Sequence, residues 1–179
     1  MHALNAMGKL LSRAGARVLK GTHMLRPTSP ADREPLWKIA EATRVFRPLE
    51  LDVLNEVIDD YFKLPEEAGD QALTYELEGK PVGFVYYAPT PMTDRTWHLY
   101  WIFVDPTIHA KGLGTLMLKH VENELKAGGA RILLIETSSL PIYDLTRKFY
   151  LKHGYEEAAI IKDFYIEGDD QVTYRKRLN

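Results

Sequence analysis

The stretch that decides the fold is VDPTIHAKGLGTLML, Val104–Leu118. It follows an apolar run that predicts a strand, passes through a turn containing Gly112 and Gly114, and continues with helical periodicity. At the start of a helix, unpaired backbone N–H groups and the positive end of the helix dipole converge, and glycines let an anion approach the backbone closely. The stretch therefore predicts a phosphate-binding site at a helix N-terminus.

The glycine spacing identifies which kind of phosphate loop this is. A Walker A loop needs GxxxxGK[ST], and a dinucleotide-binding turn needs GxGxxG, whose third glycine is here Met117. The segment HAKGLG, His109–Gly114, instead resembles motif A, [QR]xxGx[GA], of the GNAT superfamily of acyl-CoA N-acyltransferases. It follows the segment Val104–Pro106, which matches the V-x-P-like end of the family's strand, and His109 replaces the usual glutamine or arginine.

A second segment supports the resemblance. Thr146–Tyr155, TRKFYLKHGY, is similar to motif B of the family, AxxFYxxxGF, and it lies one predicted helix and one predicted strand after motif A. Thr146 replaces the common alanine, and Tyr143 stands where many members carry an asparagine. The resemblance extends from about Leu25 to Leu178.

The resemblance implies an acetyl-CoA-dependent N-acetyltransferase that moves an acetyl group to a primary amine of a small molecule or peptide by direct transfer in a ternary complex. Tyr150 would supply a proton to the departing thiolate, and the main-chain amide of Ile102 would polarise the thioester carbonyl. The residues implied in acetyl-CoA binding are Ile102, Phe103, Val104, His109, Ala110, Lys111, Gly112, Leu113, Gly114 and Thr115.

The general base is less well defined by the sequence. Many family members carry a glutamate on the strand before motif A, and the corresponding residue here is His98. An imidazole accepts a proton near neutral pH, so His98 is predicted to be catalytic, with Glu136 and a water chain as alternatives. These departures from the family pattern also permit an alternative function, a non-catalytic acyl-CoA-binding or regulatory module.

The periodicities along the rest of the chain predict an α/β fold. Their order, β, α, α, β, β, β, α, β, α, β, β, predicts a mixed central sheet of about six to seven strands with helices on both faces, a GNAT-like architecture. The central strands are predicted at Ala72–Glu78, Pro81–Tyr87, Trp97–Val104 and Ile132–Ile135, with a hairpin at Gly79 and Lys80 and a helix after Pro141.

Residues 1–22 are predicted to form a basic amphipathic helix that precedes a single GNAT-like domain, residues 24–179. Apolar residues recur at helical spacing on one side, and basic residues lie on the other: Leu4, Met7, Leu11, Ala14 and Val18 against Lys9, Arg13, Arg17 and Lys20. Such a segment fits a mitochondrial presequence, a membrane-surface helix, or a helix packed on its own domain or on a second subunit of a homodimer.

Composition excludes several classes of protein. The 179 residues contain no cysteine, which rules out disulfides and thiolate metal sites, and no HExxH pair or carboxylate cluster at ligand spacing predicts a metal. The formal net charge of −2 gives no general attraction to nucleic acid, and no apolar run approaches a membrane span of about 20 residues. A cytoplasmic enzyme is expected, whose acidic residues could attract a cationic amine: Asp59, Asp60, Asp169 and Asp170.

Overall fold

Seven strands form one mixed sheet in the order β1-β2-β3-β4-β5-β7-β6, in a computed structural model that describes residues 22–64, 68–108 and 112–179. All neighbouring strands are antiparallel except β4 and β5. The predicted mixed sheet is confirmed. The strands are β1 His23–Pro27, β2 Gln71–Leu77, β3 Lys80–Pro89, β4 Thr96–Val104, β5 Ile132–Ser138, β6 Glu156–Ile166 and β7 Asp169–Arg177.

In the described ranges, four helices cover the two faces of this sheet: α1 Arg33–Thr43, α2 Pro48–Tyr61, α3 Leu113–Ala127 and α4 Asp144–Lys152. Successive residues of a strand point to opposite faces. Ala72 packs in a core cluster with residues of α1 and α2, whereas its neighbour Leu73 packs with residues of α3 and with Tyr150 of α4. The helices therefore lie on both faces, as predicted.

Among the element boundaries that differ from the sequence prediction, three have a clear physical cause. The β2–β3 turn is Glu78–Gly79, not Gly79–Lys80: these residues have φ of 51° and 76°, positive at both central positions as a type I′ turn requires, and β3 already begins at Lys80. Strand β5 continues past Ile135 to Ser138 because β7 pairs with it along its whole length. Helix α4 begins at Asp144, after a 3-10 turn that starts at Pro141.

The parallel pair β4 and β5 separates part-way along its length. Residues Thr96–Leu99 pair with Ile132–Ile135, and no pairing continues beyond them. A bulge at Tyr100 in the register with β3 accompanies the separation. Beyond it, β4 remains paired to β3 as far as Val104, and β5 remains paired to β7 as far as Ser138. The two strands therefore open into a wedge at their carboxyl ends.

Several predictions fall on residues outside the described ranges. They include the amphipathic helix in residues 1–21 and the motif A residues His109, Ala110 and Lys111. Within the ranges that are described, no helix is long and apolar enough to cross a membrane.

Candidate active site

The separation of β4 and β5 opens a cavity of about 410 Å³, which we call the wedge cavity. The walls of this cavity include side chains from both faces of the sheet. Tyr150 packs in the core cluster on the face covered by α3, whereas Phe46 and Trp101 pack on the face covered by α1 and α2. The cavity therefore passes through the sheet. Its remaining walls include Ile102, Phe103 and Val104 of β4, Glu136, Thr137 and Ser138 of β5, and Thr146 of α4.

The backbone of β4 has a free edge along this cavity. Residues 100–104 pair with β3 on one side only, because β5 has already diverged. A strand directs its N–H and C=O groups alternately to its two edges, so some of these groups face the cavity without a strand partner. This edge can therefore bind an extended ligand by main-chain hydrogen bonds.

The start of α3 lies beside the same edge, since Leu113 packs in one apolar cluster with Ile102 and Val104. Gly112 is the N-cap with φ of 115°, a conformation that residues with a Cβ rarely adopt. The first helical hydrogen bond runs from the Leu116 N–H to the Gly112 carbonyl, 2.8 Å, so the three N–H groups before it have no partner in the helix. The first turn has no acidic residue to oppose an anion.

Tyr150 is buried on α4, with 4% of its surface exposed, and it lines the wedge cavity. Its ring packs against Tyr155 and Tyr174, with centroids 5.7 and 5.8 Å away. Burial raises the pKa of the Tyr150 hydroxyl above its ordinary value of 10.0, and no charged neighbour opposes this shift. The phenol therefore stays protonated at neutral pH and can donate a hydrogen bond.

A second cavity of about 570 Å³ adjoins the wedge cavity. Its lining includes Val57 of α2, Tyr86 and Ala88 of β3, His98 of β4, and Asp70. The residues common to the two cavities are Val53, Tyr100, Trp101, Glu136 and Tyr165. A molecule in the second cavity would thus meet a ligand of the wedge cavity at this shared wall.

Glu136 and His98 face each other at this junction, with His98 Nε2 3.5 Å from Glu136 Oε1. The imidazole stacks on Tyr100, with ring centroids 4.9 Å apart, and its Nε2 is buried without a hydrogen bond to any residue that the structure describes. The other carboxylate oxygen of Glu136 accepts a hydrogen bond from Gln171 Nε2 at 3.0 Å. Glu136 lines both cavities and His98 only the second, so Glu136 lies nearer to the wedge.

Comparison with known proteins identifies the family. The sequence pattern of the Acetyltransferase (GNAT) family matches residues 36–155. The chain belongs to this family. It is 33% identical to a GNAT-family acetyltransferase of Desulfovibrio desulfuricans, whose crystal structure superposes with a TM-score of 0.83 over 88% of this chain and 100% of that one. It is also 23% identical over 145 residues to an uncharacterized N-acetyltransferase of Methanocaldococcus jannaschii, which covers 75% of this chain and 90% of that protein.

The GNAT fold also occurs in a neighbour solved with coenzyme A. That structure, an aminoglycoside 6'-N-acetyltransferase, is 15% identical and superposes with a TM-score of 0.67 over 87% of this chain and 97% of that one. The likeness concerns the fold alone. Family membership and the named relatives make this protein an acyltransferase enzyme of the N-acetyltransferase type.

Tyr143 stands where many GNAT members carry an asparagine, and the contacts of its hydroxyl account for a tyrosine at this position. Its hydroxyl donates to the Val45 carbonyl at 3.2 Å and lies 3.4 Å from each Glu50 carboxylate oxygen. Burial and the negative charge of Glu50 raise the pKa of Tyr143. The tyrosine thereby joins the start of α4 to the α1–α2 loop across the wedge cavity.

The acidic residues considered as amine attractors do not form the site. Asp59, Asp60 and Asp170 pair with Arg33, Lys63 and Lys162. Asp169 is buried and accepts a hydrogen bond from the Ser138 hydroxyl. These four carboxylates therefore support the fold, and the described residues contain no group of three histidine or acidic side chains arranged to hold a metal.

The sequence analysis missed four residues of the second cavity: Asp70, Tyr86, Tyr100 and Tyr165. Tyr165 lies in the β6–β7 hairpin and reaches the shared wall, with the Arg47 guanidinium 5.7 Å from its ring centroid. These side chains come from distant parts of the chain and belong to no motif. No signal in the sequence could have assembled them.

Proposed function

We propose that the protein transfers the acetyl group of acetyl-CoA directly to a primary amine of a small molecule or peptide, within a ternary complex. The observation that carries the proposal is the shared wall of the two cavities, at which Glu136 lies. A thioester in the wedge cavity and an amine in the second cavity would be adjacent, so no covalent enzyme intermediate is needed.

For the acyl donor, we assign the free edge of Ile102–Val104 to main-chain hydrogen bonds with the pantetheine arm. The N–H groups at the start of α3, Leu113–Thr115, would bind the pyrophosphate, because they lack helical partners and lie at the positive end of the helix dipole. His109, Ala110, Lys111 and Gly112 complete this assignment on the motif A resemblance.

Two proton transfers accompany the reaction. The amine nitrogen attacks the thioester carbonyl carbon, a C–N bond forms and the C–S bond breaks, so the amine loses one proton and the thiolate gains one. We assign the donated proton to Tyr150, which is held in its protonated form by burial. The amide of Ile102 would stabilise the negative charge that develops on the carbonyl oxygen.

For the proton leaving the amine, we assign the pair Glu136 and His98. Glu136 lies on the shared wall, where it can accept the proton directly or through water. His98 Nε2 lies 3.5 Å from Glu136 Oε1, has no hydrogen-bond partner among the described residues, and can take the proton onward. This arrangement reconciles the predicted base His98 with its alternative Glu136.

Release of free thiol from acetyl-CoA with a panel of primary amines tests the proposal. Glu136→Gln should lower kcat by about 10²- to 10⁴-fold, the usual contribution of a general base. His98→Gln should lower kcat less. Glu157→Gln, which replaces an exposed glutamate on β6, is the matched control and should behave as wild type.

Two results would contradict parts of this proposal. Wild-type kcat in a folded Glu136→Gln variant would remove Glu136 from the mechanism. Tight CoA binding, without release of thiol from acetyl-CoA in the presence of any amine, would favour the alternative, a non-catalytic acyl-CoA-binding or regulatory module. Neither outcome bears on the homodimer or the cytoplasmic location, which stay predictions.

A further inference from the structure

We propose that the second cavity selects an acceptor with two cationic groups, and that Asp70 binds the group that is not acetylated. The inference rests on the N-acetyltransferase function proposed above and names the class of its acceptor: a small diamine with an apolar body.

The charge of the second cavity favours a cationic ligand. Of its lining residues in the described ranges, Asp70 and Glu136 are acidic, and none is lysine or arginine. Glu136 also lines the wedge cavity, at the place where the amine to be acetylated must lie, whereas Asp70 lines only the second cavity. The cavity thus has one carboxylate at the reacting end and another away from it.

Asp70 is oriented by a neighbour and has no cationic partner within the described part of the chain. The Tyr86 hydroxyl donates a hydrogen bond to Asp70 Oδ2. Burial of Tyr86, together with that contact, raises its pKa, so it remains a donor. A carboxylate accepts several hydrogen bonds on its two oxygens, so Oδ1 stays available to a ligand. Asp59 and Asp60, in contrast, are paired with Arg33 and Lys63.

The walls between the two carboxylates are aromatic and apolar. Tyr86 and Tyr100 lie with ring centroids 5.9 Å apart, and Trp101 and Val57 line the same cavity. Aromatic faces attract ammonium groups, and apolar side chains favour a methylene chain. A diamine therefore matches the chemistry of the cavity, with one neutral amine at Glu136 and one ammonium at Asp70.

Three acceptors of equal chain length separate the effect of the second charge from that of size. They are 1,6-diaminohexane, n-hexylamine and 6-aminohexanoate, each assayed by thiol release from acetyl-CoA with the full chain. We expect kcat/KM to be highest for the diamine, lower for the monoamine, and lowest for the amino acid, whose carboxylate would face Asp70. Equal kcat/KM for diamine and monoamine would overturn the inference.

Asp70→Asn tests the residue itself. The substitution keeps an oxygen for the Tyr86 hydroxyl but removes the charge, so kcat/KM for the diamine should fall by about 10- to 100-fold, the range expected when a hydrogen bond to a charged group is lost. The value for n-hexylamine should change less than about threefold, within the uncertainty of such comparisons. Asp60→Asn, at an exposed paired carboxylate, is the matched control for both acceptors.

Two further results complete the test. An equal fall for diamine and monoamine in Asp70→Asn would overturn the inference, because Asp70 would then act on the whole site and not on the second charge. If Asp70→Asn does not fold, Tyr86→Phe provides a second test, because it removes the hydrogen bond that orients Asp70. This variant should show a smaller preference for the diamine over the monoamine, and an unchanged preference would overturn the inference. Absence of thiol release with every acceptor would instead contradict the proposed enzymatic function.

Discussion

Gly114 offers a test that separates phosphate binding from folding stability. In a Gly114→Ala variant, the new Cβ would lie 3.8 and 3.9 Å from two carbons of the Phe149 ring, which is ordinary van der Waals contact. Alanine is favoured over glycine inside a helix by about 0.8–1.0 kcal/mol, and less in the first turn. The free energy of unfolding should therefore stay unchanged or rise by up to about 1 kcal/mol.

The same methyl group should weaken the binding of coenzyme A. It adds a side chain at the helix start, where the pyrophosphate must approach the N–H groups of Gly114 and Thr115. Loss of one hydrogen bond to a charged group costs about 1.5–3 kcal/mol, which corresponds to roughly 10- to 100-fold in Kd. Affinity and stability are thus predicted to change in different directions.

Calorimetric titration with CoA and thermal unfolding of the same preparations measure the two effects. Gly128→Ala is the matched control, since it alters a glycine at the opposite end of α3, where a Cβ would lie 3.5 Å from the Glu124 carbonyl. It should leave CoA affinity unchanged. Wild-type CoA affinity in a stable Gly114→Ala protein would refute the assignment of the phosphate site to this helix start.

Two other predictions follow from pKa shifts. Tyr150→Phe should lower kcat by about 10²- to 10⁴-fold at saturating substrates and leave CoA affinity unchanged, because the lost hydroxyl acts when negative charge develops on the thiolate. Equal losses of kcat and of CoA affinity would argue against the acid role. Burial raises the pKa of Asp32, but hydrogen bonds from Arg26 and Ser29 outweigh it and lower the pKa from 3.8 to about 2. This carboxylate should therefore contribute about 2 kcal/mol of stability above pH 4 that is lost as pH falls towards 2. Denaturant titrations across that range should show the loss in wild type and little of it in Asp32→Asn; parallel curves would exclude the effect.

Local sequence predicted the features that local physics sets. The order of strands and helices follows from the spacing of apolar residues. The helix start at Gly112 could also be located, because a short glycine pattern fixes backbone conformation without help from distant residues. The boundaries of β5 and α4 differed, since pairing with β7 and a 3-10 turn decide them.

The tertiary structure alone decided the site around these features. Strand β4 pairs with β5 over four residues and then diverges, and the resulting wedge depends on which strands flank each of them. Glu136, His98, Asp70 and Tyr165 come from separate elements and meet only after the sheet has formed. Periodicity reports which face of an element is apolar, whereas the meeting of polar groups depends on strand order and register. The sequence by itself therefore determined the family, the element order and the glycine turn before α3, and three-dimensional packing determined the contact between Glu136 and His98 and the character of the second cavity.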